Sequence, residues 1–131
     1  MPKNKRGTVD DSFTLNIDLA TTILGAANLP PHERMQGRDI ADLYLKPDAK
    51  DSWRKEFFYQ HQSMGMNYIP ASSALVRKDF KYMIYPEWKV EQFFDMINDP
   101  LEFDDILNKS EHSALIEEMR KRHDELKEQV K

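Results

Sequence analysis

The residues in this chain that could do chemistry are few, and their spacing decides what they can do. Histidines occur at His32, His61, His112 and His123. A helical zinc pair needs its ligands about one turn apart; His112 and His123 lie far beyond that and have no third ligand beside them, so no metal is assigned. Asp95, Asp99, Glu102, Asp104 and Asp105 form an acidic cluster without the Asp-x-Asp-x-Asp-Gly spacing of a calcium loop. They read as turn caps and as charge that keeps a sheet edge soluble. Four glycines and no Gly-x-Gly-x-x-Gly, Walker loop or Gly-x-Ser-x-Gly elbow leave no phosphate cradle. Ser63, Ser72 and Ser73 have no base beside them in the sequence. With no cysteine, disulfides and thiolate chemistry are excluded. One pair stays open, His61 with Arg77. His61 follows the aromatic run Phe57-Phe58-Tyr59, Arg77 ends the next apolar segment, and cations at strand ends can hold an anion across a cleft by charge-assisted hydrogen bonds. The alternative pairs Arg77 with a nearby acid such as Asp79 or Glu91.

The elements that would position these residues are legible from periodicity. Leu15, Leu19, Ile23 and Ala26 recur at helical spacing, Thr14 offers a capping hydroxyl, Asn28 suits the left-handed position after a helix, and Pro30-Pro31 stops it. A helix over about 15–27 follows. From His32 to Ser52 the signals are loop and short turn. Then come Phe57-Phe58-Tyr59, Leu75-Val76, and Phe80, Tyr82 and Ile84 alternating with Lys81, Met83 and Tyr85. Lys78-Asp79 forms a hairpin turn between the second and third segments. Val90 to Met96 resumes the ladder, with Val90, Gln92, Phe94 and Met96 on one face and Phe93 on the other. The connections are too short for crossovers, so four antiparallel strands are expected. Ser110 opens a last helix over about 111–130, with a stripe of Leu115, Met119, Leu126 and Val130 and with i,i+4 pairs Glu117–Lys121 and Glu118–Arg122. The fold class is therefore α+β: a small four-stranded antiparallel sheet covered by a long C-terminal helix, plus an N-terminal helix.

Composition removes several function classes. A length of 131 residues allows one ordinary core, and 40% hydrophobic with 11% aromatic residues is enough to fold it. The net charge of −4, with bases interspersed among acids, provides no basic face for nucleic acid. No window is apolar enough for a membrane span, and MPKNKRGTVDD has no apolar stretch behind its basic start to make a signal peptide.

Two stretches then carry a resemblance. Ile17-Asp18-Leu19-Ala20, Thr22, Ile23-Leu24, Pro30 and Met35-Gln36-Gly37-Arg38 match the pattern "iDlaPTLLdlaG.p.P…MQGRSL" of sulfatases of the alkaline-phosphatase-like superfamily. Thr21 replaces the usual proline, Gly25 the usual acid and Asn28 the usual glycine. Trp53-Arg54, Glu56, Phe58-Tyr59 and His61 resemble "WRe.fyyE.h", and Leu75-Val76-Arg77 with Lys81-Tyr82 resembles "aiR….KYI". Gln92-Phe93-Phe94-Asp95-Met96, Asp99-Pro100, Glu102 and Asp105-Ile106 resemble "ELYDL..DP.E..NL". The likeness runs over about residues 8–126, with its motifs in the family's order, and is similar to the C-terminal end of these enzymes.

That resemblance implies a parent that hydrolyses sulfate esters or N-sulfates with a formylglycine and a calcium ion. The Cys/Ser-x-Pro/Ala-x-Arg motif that makes the formylglycine is not in these residues. The chain alone is therefore expected to be inactive, with no catalytic, cofactor or metal residue of its own. Residues 1–52 would be the connecting helix and loop from the end of the main domain, and 53–131 the C-terminal subdomain that shapes the substrate cleft, with His61 and Arg77 facing the substrate. The alternative is a free-standing interaction or sulfated-glycan-binding module. Expected partners are a sulfatase catalytic domain or a second copy, and in the intact enzyme a sulfated sugar or aryl sulfate. By resemblance the location is periplasmic or secreted. Leu15, Ile17, Leu19, Ile23, Leu24 and Ala27 put apolar residues all round the first helix, so part of it needs a covering partner.

Overall fold

Helix α1 (Asn16–Ala26) begins after an extended Leu15, with φ −117° and ψ 158°. The carboxylate of Asp18, at the third helical position, reaches back and accepts the Leu15 N–H at 2.7 Å. The cap is thus Asp18 and not the expected Thr14. At the other end Asn28 takes φ 56°. Its N–H donates to the Gly25 carbonyl at 3.0 Å, and the Leu29 N–H donates to Leu24 at 2.9 Å, the paired bonds of a Schellman stop. The chain then turns back along the helix. Gly37 passes so close that a Cβ there would collide with the Ile17 carbonyl and the Thr21 hydroxyl. Within the expected loop region lies one short helix, α2 (Asp42–Leu45).

The computed structural model describes residue 7 and residues 9–63 and 69–130. The chain divides into two compact units, Met1–Lys55 and Glu56–Lys131. The first takes in Trp53 and Arg54, which the sequence reading places with the sheet. Their partners explain why: the Trp53 indole donates to the Phe13 carbonyl at 2.8 Å, and the Arg54 guanidinium grips Asp18.

The second unit is a four-stranded antiparallel meander in the order β1 (Glu56–His61), β2 (Ser72–Arg77), β3 (Phe80–Tyr85), β4 (Val90–Asp95). Lys78 and Asp79 form the β2–β3 turn, as the sequence suggests. Pairing runs Phe58↔Leu75, Leu75↔Tyr82 and Tyr82↔Phe93 across the sheet. Period-two alternation therefore puts these four residues on one face. Against that face lies α3 (Ser113–Gln129), entered through a 3-10 turn at Ser110–His112. Leu75, Tyr82, Phe93, Ile106, Ile116 and Met119 form the core. At about 25 cal/mol per Å² of apolar surface, burying such side chains stabilises by roughly 1.5–3 kcal/mol each.

Two details of the sequence reading change. The buried stripe of α3 is Ile116, Met119 and His123, with Leu115 and Leu126 only partly buried and Val130 47% exposed. His123 completes the apolar stripe. On β4 both Phe93 and Phe94 are buried, on opposite faces, and Ala74 and Met83 are buried on the same face as Phe94. The central strands are thus closed on both sides. Among the described residues no helix is long and apolar enough to cross a membrane.

Candidate functional site

In the first unit, charge is concentrated at Asp18. Its side chain has no exposure, and each carboxylate oxygen accepts two bonds. One takes the Leu15 N–H and Arg54 Nη1. The other takes the Arg38 N–H at 2.8 Å and Arg54 Nη2 at 2.7 Å. Burial pushes the carboxyl up, but the Arg54 fork and the Arg38 and Leu15 amides outweigh it and hold the group below the usual carboxylate range. Two guanidinium groups lie over the Trp53 ring, with the Arg38 and Arg54 carbons each 5.5 Å from its centroid. The Arg of the Met35-Gln36-Gly37-Arg38 loop also donates to the Ser52 carbonyl at 2.8 Å. This arrangement closes the loop onto the helix; both ends of the Asp18–Arg54 pair are already satisfied, so it presents nothing to a ligand.

The polarity of α1 is inverted. The side facing its own unit carries Asp18 and Thr21, both buried, and Thr22, whose hydroxyl accepts from the Ile40 N–H at 2.9 Å. The outward side carries Ile17, Leu19 and Ile23, exposed by 45, 57 and 68%. Thr21 Oγ1 is buried without a hydrogen-bond partner among the described residues.

In the second unit the hydrogen-bonded register separates the two candidate site residues. Glu56 pairs with Arg77 and His61 with Ser72, so His61 and Arg77 stand at opposite ends of the β1–β2 hairpin and, by alternation, on opposite faces. Arg77 faces α3, where its Nε donates to Glu56 at 2.9 Å and its Nη1 to Glu118 at 2.7 Å. Neither Asp79 nor Glu91, the acids expected nearby, is its partner. Glu56 also accepts from Arg122 Nε at 2.6 Å, and Arg122 Nη1 donates to Glu125. Burial raises the Glu56 carboxyl, but the Arg122 and Arg77 bonds prevail and hold it low. Glu118 and Arg122, expected to pair along the helix, each reach the sheet instead. The His61 side chain makes no hydrogen bond or ion pair among the described residues.

A serine and a base do meet, and the one sequence signal for it is a histidine in line with the apolar stripe of α3. His123 is 1% exposed, with its Nε2 2.9 Å from Ser73 Oγ and its Nδ1 3.0 Å from Asp124 Oδ1. A carboxylate only accepts, so Nδ1 donates to Asp124, and in the neutral ring Nε2 then accepts from the Ser73 hydroxyl. Phe58 and Tyr82 flank the imidazole, with centroids at 5.2 and 5.4 Å. The composition is that of a catalytic triad, but Ser73 is 5% exposed and packed beneath α3. No substrate can reach its oxygen, and the group acts as a satisfied polar element of the core. Burial likewise pushes the Tyr82 phenol up to about 12.

The acidic cluster is consumed by turns. Asp95 accepts from the Ile97 and Asn98 amides, Asp99 from Asp104, and Asp105 from Phe93 and Leu107. Glu102 pairs with Lys81 at 2.6 Å. Among the described residues no three His, Asp or Glu side chains are grouped to hold a metal ion.

Comparison with known proteins identifies the family. The sequence model of the family "N-sulphoglucosamine sulphohydrolase, C-terminal" matches residues 1–129. The chain is 26% identical over 119 residues to an arylsulfatase of Clostridium perfringens, covering 91% of this chain and 24% of that protein. It is 27% identical over 139 residues to an N-acetylglucosamine-6-O-sulfatase of Bacteroides thetaiotaomicron, covering 97% of this chain and 23% of that one. The chain thus spans about a quarter of the length of these relatives. In fold it is similar to a solved protein in complex with its substrate D-glucosamine-2-N,6-O-disulfate, with TM-score 0.79, 23% identity, and 94% of this chain and 26% of that one covered. A phosphonate monoester hydrolase of Agrobacterium radiobacter gives TM-score 0.72 at 16% identity, with 92% and 26% covered. At these identities the likeness is one of fold alone.

Proposed function

Given that the chain belongs to the N-sulphoglucosamine sulphohydrolase C-terminal family, we propose that it is the non-catalytic C-terminal segment of a sulfatase and walls one side of that enzyme's substrate cleft. The observation that carries this reading is the inverted α1. A helix that buries an aspartate and a threonine and turns Leu19 and Ile23 outward has an apolar side made to be covered. In a chain spanning a quarter of its relatives' length, the covering surface is the catalytic portion of the same enzyme. Leu101 and Phe103, exposed by 72 and 84%, give the second unit a comparable uncovered surface.

The substrate class is a sulfated sugar, in keeping with the substrates named for the relatives. Of the two candidate residues, His61 has the free imidazole and is the one assigned to the cleft. Arg77, neutralised by Glu56 and Glu118, instead holds α3 to the sheet. Calcium and formylglycine belong to the catalytic portion, and the enzyme is exported. The experiment is to sequence upstream of the coding region, find the Cys/Ser-x-Pro/Ala-x-Arg motif in frame, and assay the long and short proteins on an aryl sulfate and on N-acetylglucosamine 6-sulfate. Turnover by the long form, none by this chain, and a raised KM in the long form's His61→Ala variant are expected. Turnover by this chain alone defeats the reading.

A further inference from the structure

The connection between β3 and β4 presents an aromatic platform that nothing in the scaffold uses. Trp88 is 60% exposed and stacks on Tyr85, with ring centroids 5.9 Å apart and planes 21° off parallel. Backbone bonds from the Trp88 N–H to Tyr85 and the Lys89 N–H to Pro86 hold the turn. Lys89 adopts φ 52°, a left-handed conformation that glycine takes without cost and a lysine does not. A lysine in this conformation thus stands next in sequence to an exposed tryptophan. Neither Lys89 nor Glu87 has an ion-pair partner among the described residues.

We propose that Trp88 and Lys89 form a subsite for a sulfated pyranose. A pyranose ring has an apolar face of C–H groups whose positively polarised hydrogens suit the negative face of an indole, and Tyr85 holds that indole in place. The Lys89 ammonium supplies the charge for the sulfate, and the Glu87 carboxylate can accept from ring hydroxyls. The charged surroundings separate this patch from the outward side of α1, where the exposed side chains are aliphatic and uncharged. The proposal rests on the sulfated-sugar reading above, and it places a second sugar contact on the hairpin in addition to His61.

The test is a titration of the full chain with N-acetylglucosamine 6-sulfate and with N-acetylglucosamine, read by tryptophan fluorescence. Trp53 is buried and Trp88 is exposed, so the response reports on Trp88. The sulfated sugar should quench the emission. Trp88→Ala should weaken binding by about tenfold or more, measured by saturation-transfer NMR, while Trp88→Phe retains most of it. Lys89→Gly separates function from structure: it should raise the thermal midpoint by relieving the left-handed strain, yet lower affinity for the sulfated sugar by up to about fivefold and leave the unsulfated sugar unchanged. Absence of a response in the native chain, or undiminished binding by Trp88→Ala, overturns the proposal. A silent Trp88 in a chain whose upstream sequence carries the sulfatase motif sinks the subsite alone, whereas binding at Trp88 without that motif sinks only the sulfatase reading.

Discussion

The two units solve the same problem with opposite materials. The first buries a carboxylate, a guanidinium, a threonine and one tryptophan, and leaves Ile17, Leu19, Ile23, Leu29 and Leu45 exposed. The second buries a Leu–Tyr–Phe–Ile–Met cluster and leaves its ion pairs at the edge. A unit of the second kind derives its stability from its own core. A unit of the first kind is centred on one ion pair whose carboxylate accepts four bonds, with the buried Trp53 beside it, while Ile17, Leu19 and Ile23 stay exposed. The difference teaches that a unit with an aromatic and aliphatic core and a unit centred on a buried ion pair can follow one another in a single chain.

The contrast can be broken most forcefully in the second unit. Phe93→Ala empties the centre of its core and should lower its unfolding free energy by about 3–5 kcal/mol, seen as a reduced urea midpoint. In the first unit the comparable change is polar. Asp18→Ala leaves the Arg54 guanidinium, whose side chain is 9% exposed, without its partner and should cost about 3 kcal/mol. Trp53 emission in a Trp88→Phe background reports it. The pH dependence has a definite sign. Because the folded Asp18 carboxyl lies below its unfolded value of about 3.9, its stabilisation is complete above that pH and is lost as pH falls toward the folded value. Acid should therefore loosen the Trp53 environment in the native chain, and the Asp18→Asn variant should lack this transition. The smallest effect has the opposite direction. Thr21→Val removes the unpartnered hydroxyl while keeping the shape, and should raise the first unit's stability by about 1 kcal/mol in the same urea assay.

Much of the fold was readable because it depends on local rules. The four strands, the Lys78-Asp79 turn and the Asn28 stop follow from alternation, from turn chemistry and from a left-handed position that asparagine tolerates. What sequence reasoning missed depended on distance. Ser73 and His123 meet across a strand and a helix far apart in the chain, and a histidine completing an apolar helix stripe is the one hint that the sequence held. The separation of His61 and Arg77 follows from strand register, which fixes both the end and the face at which each residue emerges and is set by the whole sheet. The Asp18 cap was legible in principle, since an acid three residues past the last extended residue is a recognised helix-start pattern. The competing signal from Thr14 obscured it.

The central claim is that the outward side of α1 is built to be covered. Sedimentation velocity on the purified chain, compared with a Leu19→Ser, Ile23→Ser double variant, tests it directly. The account predicts concentration-dependent association of the native chain and a single monomeric species for the variant, with little change in folded stability because both positions are exposed. A native chain that stays monomeric and monodisperse at all concentrations, and unfolds cooperatively, would contradict it.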